Sequence, residues 1–101
     1  MGTVFTSVRR YRVTVNSNDH WPRHVHAMNR GLNARFKLRC PKGTAVFWDI
    51  VWGEWDPKHL NELGQEITDE MKACCEEWSR IHGKVPPYQR SGPQKGSGTG
   101  G

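Results

Sequence analysis

The sequence predicts an α+β fold: an antiparallel meander of four to five strands with a C-terminal amphipathic helix, or two helices, packed on one face. Two observations support this prediction. Short segments within residues 3–52 alternate apolar and polar side chains and are rich in β-branched and aromatic residues, as strands are. From residue 56 onward, apolar residues recur instead at steps of three and four, which is typical of a helix with one buried face.

Turn-forming Ser, Asn, Asp, Gly and Pro residues separate the predicted strands, which span residues 3–8, 11–16, 23–28, 34–39 and 45–52. In the clearest of them, Tyr11, Val13 and Val15 share the face that we expect to line the core. The last strand is the most aromatic, so we expect it to be the most buried. The alternative is that its tryptophans form an exposed platform together with Trp55.

The helical segment begins at Asp56-Pro57, where Asp is a preferred N-cap residue and Pro suits the first turn. Gly64 or the pair Thr68-Asp69 is expected to bend the segment or divide it into two helices, and Gly83 is expected to end it. The apolar residues of its buried face are Leu60, Leu63, Ile67, Met71, Cys74, Trp78 and Ile81.

The chain is long enough for one domain, which we place at residues 1–83. Residues 84–101 are rich in Pro, Gly, Ser, Lys and Arg, which predicts a disordered tail. The end of this tail, Gly96–Gly101, resembles a linker of non-native origin. The N-terminus shows no signal-peptide pattern and no window is apolar enough for a membrane helix, so we expect a cytoplasmic protein that does not bind membranes.

The three cysteines are Cys40 and the adjacent pair Cys74-Cys75. Their odd number and spacing match neither a zinc ribbon nor a disulfide framework. We therefore expect reduced thiols, with the adjacent pair on the buried face of a helix.

Charge is segregated along the chain. Residues 1–43 contain nine Lys or Arg against the single acid Asp19, whereas residues 44–82 contain nine acids against three Lys or Arg. This asymmetry favours an anionic partner for the first half, either nucleic acid or an acidic protein. The alternative is an ordinary solvated surface whose two halves attract each other.

Histidines and cations of the first half are predicted to form the site. His24 and His26 are two residues apart, so they share one face of a strand, and the same phasing gathers the strand cations on the face opposite the helices. His59 and His82, in the helical segment, are expected at the surface. The predicted binding residues are Arg10, Arg12, His20, Trp21, Arg23, His24, His26, Arg35, Lys37, Arg39, Trp48 and Trp55.

Several interpretations of this face compete, and we favour binding without chemistry, with cations contacting an anionic partner and tryptophans anchoring it. A ribonuclease that uses His24 and His26 as acid and base is an alternative, although we lean against an enzyme. A metal site with Asp19 or Asp49 as a further ligand is disfavoured by the surrounding cations, so no metal or cofactor is predicted. The histidines could also serve only the hydrogen bonding of the strands.

The order of these features resembles the bacterial domain of unknown function 4160. The resemblance covers residues 8–82 and rests on the strand Tyr11–Val15, Asn18-Asp19-His20, Pro22, His24-Val25-His26, Ala34-Arg35-Phe36 and the acidic helix ending in Trp78. Two features depart from the family pattern. Arg23 replaces a second proline, and residues 44–55 form a longer and more aromatic connection than usual.

The resemblance implies a small regulatory protein of a toxin–antitoxin-like operon that acts beside a second small protein. We therefore predict a module that binds nucleic acid or a cognate protein through the basic His/Arg face. The aromatic segment at residues 44–55 suggests an alternative, a phage or plasmid inhibitor that blocks a host defence complex. A homodimer paired through the Trp-rich strand is a further alternative.

Overall fold

The computed structural model of the chain describes residues 2–86. Five strands form one antiparallel sheet in the order β1-β2-β3-β4-β5, and two helices follow, which confirms the predicted α+β meander. Residues 87–101 of the predicted tail lie outside the described residues. The elements are β1 (Gly2–Thr6), β2 (Arg12–Val15), β3 (His24–Asn29), β4 (Leu32–Lys37), β5 (Val46–Trp52), α1 (Pro57–Asp69) and α2 (Met71–His82).

One face of the sheet lines the core. Because strand side chains alternate between faces, Val25 and Ala27 of β3 point to the same side as their cross-strand partners Phe36 and Ala34 of β4. All four are buried, and the predicted core residues of β2 join them. The helices complete the core with Leu63, Ile67, Met71, Cys74, Cys75 and Trp78.

The helical segment divides at Glu70, one residue beyond the predicted Thr68-Asp69 pair. The Thr68 hydroxyl does not cap the second helix, because it donates to the Gly64 carbonyl at 2.7 Å and accepts from the Ala45 N–H at 2.9 Å. Asp56 is the N-cap of α1, as predicted, and accepts from the Lys58 N–H at 2.8 Å. Neither helix is long and apolar enough to cross a bilayer within the part of the chain that the structure describes.

The prediction that the Trp-rich strand is the most buried is wrong. β5 has a neighbour on one side only, because the sheet ends there, and its pairing with β4 is interrupted by two register shifts. Its exposed apolar side chains reach 68% exposure at Trp52. Aromatic and β-branched composition favours a strand but does not say whether that strand is central or at an edge. The exposed apolar residues of β5 are Phe47, Ile50, Val51 and Trp52.

The prediction of three reduced thiols is also wrong. Cys40, in the segment after β4, forms a disulfide with Cys75 of α2 across 35 residues of sequence. The fold brings the two residues together, which their spacing along the chain could not indicate. Only Cys74 is free among the cysteines, and burial raises the pKa of its thiol to about 12. The disulfide links α2 to the segment that follows β4.

Removing this disulfide should destabilise the fold. We expect Cys40→Ser and Cys75→Ser each to lower the free energy of unfolding by about 2–4 kcal/mol, because the cross-link restricts the unfolded chain. Denaturant unfolding measures the loss. The double variant should lose no more than either single variant, since all three lack the same bond. A thiol assay on unreduced, denatured protein should find one thiol per chain, and three would contradict the pairing.

Candidate functional site

The candidate site is built on the polar face of the sheet, opposite the core. Pairing of β3 with β4 sets His24 opposite Lys37 and His26 opposite Arg35. Pairing of β4 with β5 sets Arg35 opposite Asp49. The structure therefore places the two histidines and two of the predicted cations on one face, as the period of two in the strands requires.

The loop between β2 and β3 covers this face. The histidines were expected on an open surface, and the structure buries them instead. Asp19 of this loop places its Oδ1 at 3.0 Å from the His26 Nε2 and at 3.6 Å from the His24 Nε2. Its other oxygen, Oδ2, accepts a hydrogen bond from the Asn16 N–H at 2.9 Å. The side chains of Asp19, His24 and His26 are only 9%, 3% and 11% exposed. We call these three residues the Asp-His-His cluster.

The Nδ1 atom of each imidazole, which faces away from Asp19, lies within hydrogen-bond distance of an acceptor. The His24 Nδ1 lies 2.8 Å from the Pro22 carbonyl oxygen, and the His26 Nδ1 lies 2.9 Å from the Asn33 Oδ1. Because these oxygens only accept, both Nδ1 atoms donate. The Nε2 atoms of both rings are thereby directed toward Asp19, and one donor atom from each residue of the cluster lies within 4.8 Å of the others.

Aromatic rings enclose His24. Its ring centroid lies 5.1 Å from that of Trp48 on β5 and 5.3 Å from that of Trp78 on α2. Burial lowers the pKa of the His24 imidazole below its ordinary value, against the opposing effects of the Pro22 hydrogen bond and the Asp19 charge. Sequence reasoning missed Trp78 as a neighbour, because its position on the apolar stripe marked it only as a core residue.

The two cations beside the cluster, Arg35 and Lys37, already interact with neighbouring side chains. The Arg35 Nε donates to the Asp49 Oδ1 at 2.7 Å, the Arg35 Nη2 donates to Oδ2, and the guanidinium lies 3.8 Å from the centre of the Trp48 ring. The hydrogen bond from Arg35 lowers the pKa of Asp49 and raises that of Arg35. The Lys37 Nζ lies 4.8 Å from the same ring centre. Asp49 thus compensates the charge of Arg35 and lies outside the Asp-His-His cluster.

Three other predicted cations differ in position. Arg12 lies on β2 and is exposed. Arg10 lies in the β1–β2 turn at φ 71, so the prediction that it occupies the polar phase of a strand is wrong. The period of two fails at Arg10 because the backbone there has a positive φ and is not extended. Arg39 lies two residues beyond the end of β4, where the alternation continues, because Leu38 is buried and Arg39 is exposed. His20 is exposed in the β2–β3 loop, outside the cluster.

The remaining predicted binding residues pack elsewhere. Trp21 lies edge-to-face against Trp78 at 5.3 Å, and the Arg23 guanidinium lies 4.7 Å from the centre of the Trp21 ring. Trp55 stacks on Tyr11 at 4.7 Å. These side chains support the fold around the site rather than lining the polar face with the two histidines.

His59 and His82 were expected at the surface, and both are half-buried. The Tyr11 hydroxyl lies 2.9 Å from the His59 Nδ1. The His82 ring lies 4.1 Å from that of Trp78, and its Nε2 lies 2.8 Å from the Asn16 carbonyl oxygen, to which it donates. Both rings therefore join a helix to a residue beside β2, His59 to Tyr11 before the strand and His82 to Asn16 after it.

Comparisons with known proteins assign no family to the chain. No family model and no solved structure matches it. A segment of 63 residues, 62% of the chain, is 40% identical to Protein X of Hepatitis B virus genotype C (isolate Vietnam/3270/2000). The matched segment spans 36% of that viral protein, so the chain corresponds to about a third of its length.

The Arg35–Asp49 ion pair should make a modest contribution to the stability of the fold, and this contribution should depend on pH. We expect Asp49→Asn to lower the free energy of unfolding by about 0.5–1 kcal/mol at neutral pH, because the pair is partly exposed. The pKa of Asp49 is lowered in the folded state, so this contribution is present above the unfolded pKa and is lost as the pH falls through the folded pKa.

Urea unfolding at a series of pH values tests this expectation. The difference between wild type and Asp49→Asn should vanish in strong acid. Glu76→Gln, at an exposed position of α2, is the control and should show little difference at any pH. A loss that stays constant down to strong acid would mean that the carboxylate charge is not its source.

Proposed function

We propose that the chain is a small regulatory protein of a toxin–antitoxin-like module that binds a cognate protein through β5. The observation that carries this proposal is the apolar margin along this edge strand. We define the β5 margin as its four exposed apolar side chains, Phe47, Ile50, Val51 and Trp52.

Exposed apolar side chains on an edge strand are typical of protein interfaces. In β5 they lie on both sides of the sheet, because Phe47 and Ile50 pair with core residues of β4 and Trp52 pairs with Asn33 of the polar face. The β5 margin includes two aromatic residues, which contribute most per residue to binding free energy when a partner buries them. Two register shifts interrupt the ladder between β4 and β5, and such bulges disfavour open-ended addition of strands. We therefore expect the partner to bind mainly through side-chain contacts.

A protein partner fits the polar face better than nucleic acid does. The Trp48 ring lies beneath two cationic groups, so its face is not free to stack on a base. Arg35 is paired with Asp49, and Arg10 and Arg39 lie outside the strands. These arrangements reduce the number of cations that could follow a phosphate backbone along the sheet.

The resemblance to the bacterial domain of unknown function 4160 rests on the order of sequence features alone, since no family model matches the chain, and it implies a second small protein encoded beside this one. An inhibitor of a host defence complex would bind a different partner through the same β5 surface. Identifying the partner therefore distinguishes the regulatory protein from the inhibitor. The ribonuclease alternative stays a prediction. It is disfavoured by the burial of His24, which is 2% exposed and therefore offers a ribose little access.

Substitutions in the β5 margin should weaken binding without unfolding the chain. We expect Val51→Lys and Trp52→Lys to weaken binding to the protein encoded by the adjacent gene by about 30-fold or more, as loss of a buried aromatic or aliphatic anchor does. Titration calorimetry with the purified partner measures the change. Val8→Lys is the matched control, because Val8 is 88% exposed in the β1–β2 turn, away from β5.

Equal affinity in all three variants would refute the β5 interface. Salt-dependent RNA binding that weakens in Arg12→Ala and Lys37→Ala would instead support a nucleic-acid partner. A concentration-dependent dimer that Trp52→Lys dissociates, seen by sedimentation, would show that the margin serves a homodimer.

A further inference from the structure

We infer that Asp19, His24 and His26 bind one divalent transition-metal ion, such as Zn²⁺, through the Asp19 Oδ1 and the two Nε2 atoms. This inference is independent of the proposed partner and concerns the polar face rather than β5. Two imidazoles and one carboxylate are a common ligand set for zinc and for ferrous iron.

The distances within the cluster fit a shared ion. Ligands held at roughly 2.0–2.2 Å from one ion stand about 3.0–3.5 Å apart in tetrahedral or octahedral coordination. The Asp19 Oδ1 lies 3.0 Å from the His26 Nε2 and 3.6 Å from the His24 Nε2. Both histidines therefore converge on the same carboxylate oxygen, and all three donor atoms lie within 4.8 Å of one another.

When both imidazoles are neutral, the hydrogen bonds made by their Nδ1 atoms leave both Nε2 atoms without a proton. A backbone carbonyl accepts from the His24 Nδ1, so a neutral His24 presents an unshared electron pair at Nε2 toward the carboxylate. One proton can join Asp19 to one ring, but the other ring then faces a carboxylate with no hydrogen between them. A single cation placed between the three atoms interacts favourably with all of them.

The surroundings resemble the outer shell of metal sites. Metal-binding histidines usually donate their second N–H to a carbonyl or carboxylate, which fixes the ring orientation. Here Pro22 and Asn33 accept from the two Nδ1 atoms, and the Asn16 N–H orients the Asp19 carboxylate. Trp48 and Trp78 pack against the His24 ring and restrict its rotation.

The neighbouring cations do not oppose a metal as strongly as the sequence suggests. Arg35 lies opposite His26 in the sheet, but its guanidinium is directed to Asp49, whose carboxylate compensates its charge. An ion in the cluster would join the β2–β3 loop to β3, since Asp19 belongs to the loop and both histidines to the strand. Three protein ligands leave at least one coordination position for water or another donor.

Metal binding by the full chain, purified without a polyhistidine tag and stripped with a chelator, tests the inference. We expect one Zn²⁺ per chain by equilibrium dialysis with elemental analysis, and no comparable binding of Mg²⁺, which prefers oxygen ligands. Asp19→Asn and His26→Gln should weaken zinc binding by more than about 100-fold. His59→Gln, a histidine outside the cluster, is the matched control and should bind as wild type does.

The positioning role of Asn33 gives a graded test. We expect Asn33→Ala to retain one zinc per chain with affinity lowered by about 10- to 100-fold, because it removes an orienting hydrogen bond but no ligand. Unchanged zinc affinity in this variant would argue against the inference that the hydrogen bond to Asn33 orients the His26 ring for zinc.

Wild-type measurements keep the inference open to refutation if a ligand variant fails to fold. Zinc should shift the imidazole NMR resonances of His24 and His26 but not those of His59. The inference is wrong if the wild-type chain binds no zinc at micromolar free concentration, or if folded Asp19→Asn and His26→Gln bind it as wild type does. It is also wrong if zinc shifts only resonances outside the cluster.

Discussion

The pairing of β3 with β4 separates the apolar from the polar side chains, and the candidate site depends on it. Val25 lies opposite Phe36 on the core side, and His26 lies opposite Arg35 on the other. A slip of one residue in either strand would move its histidines or cations into the core and expose its apolar residues. The two-residue turn Arg30-Gly31 fixes this register, because positive φ values of 24 and 73 match the twist of a tight hairpin.

The polar face is enclosed by parts of the chain that are distant in sequence. The β2–β3 loop places Asp19 above the histidines, and α2 places Trp78 against His24. The disulfide at Cys75 lies three residues before Trp78 and ties the helix to the segment after β4. Because α2 is held at Cys75, less than one turn before Trp78, the position of the Trp78 ring beside His24 is held as well. The site is therefore a property of the whole fold rather than of the His-x-His sequence alone.

Local patterns predicted the parts of the structure that local physics determines. Strand alternation and the Asp56-Pro57 helix start depend on neighbouring residues, and both could be recognised in the sequence. Period-two counting could also have found Asn33, which is two residues before Arg35 and so shares its face. The Cys40–Cys75 bond and the edge position of β5 depend on contacts between distant segments. No local pattern contains that information, and aromatic composition pointed to burial where the sheet in fact ends.

Charge segregation along the sequence serves the fold. Arg9 pairs with Glu62 and Arg35 with Asp49, so ion pairs join the basic first half to the acidic second half. Within residues 2–86, the other seven Lys or Arg residues of the first half form no ion pair with an acidic side chain, and these are Arg10, Arg12, Arg23, Arg30, Lys37, Arg39 and Lys42. Unpaired surface cations accelerate association with an acidic protein, whereas apolar contacts slow dissociation. In the proposed complex with a cognate protein, the unpaired cations and the β5 margin would supply different parts of the affinity.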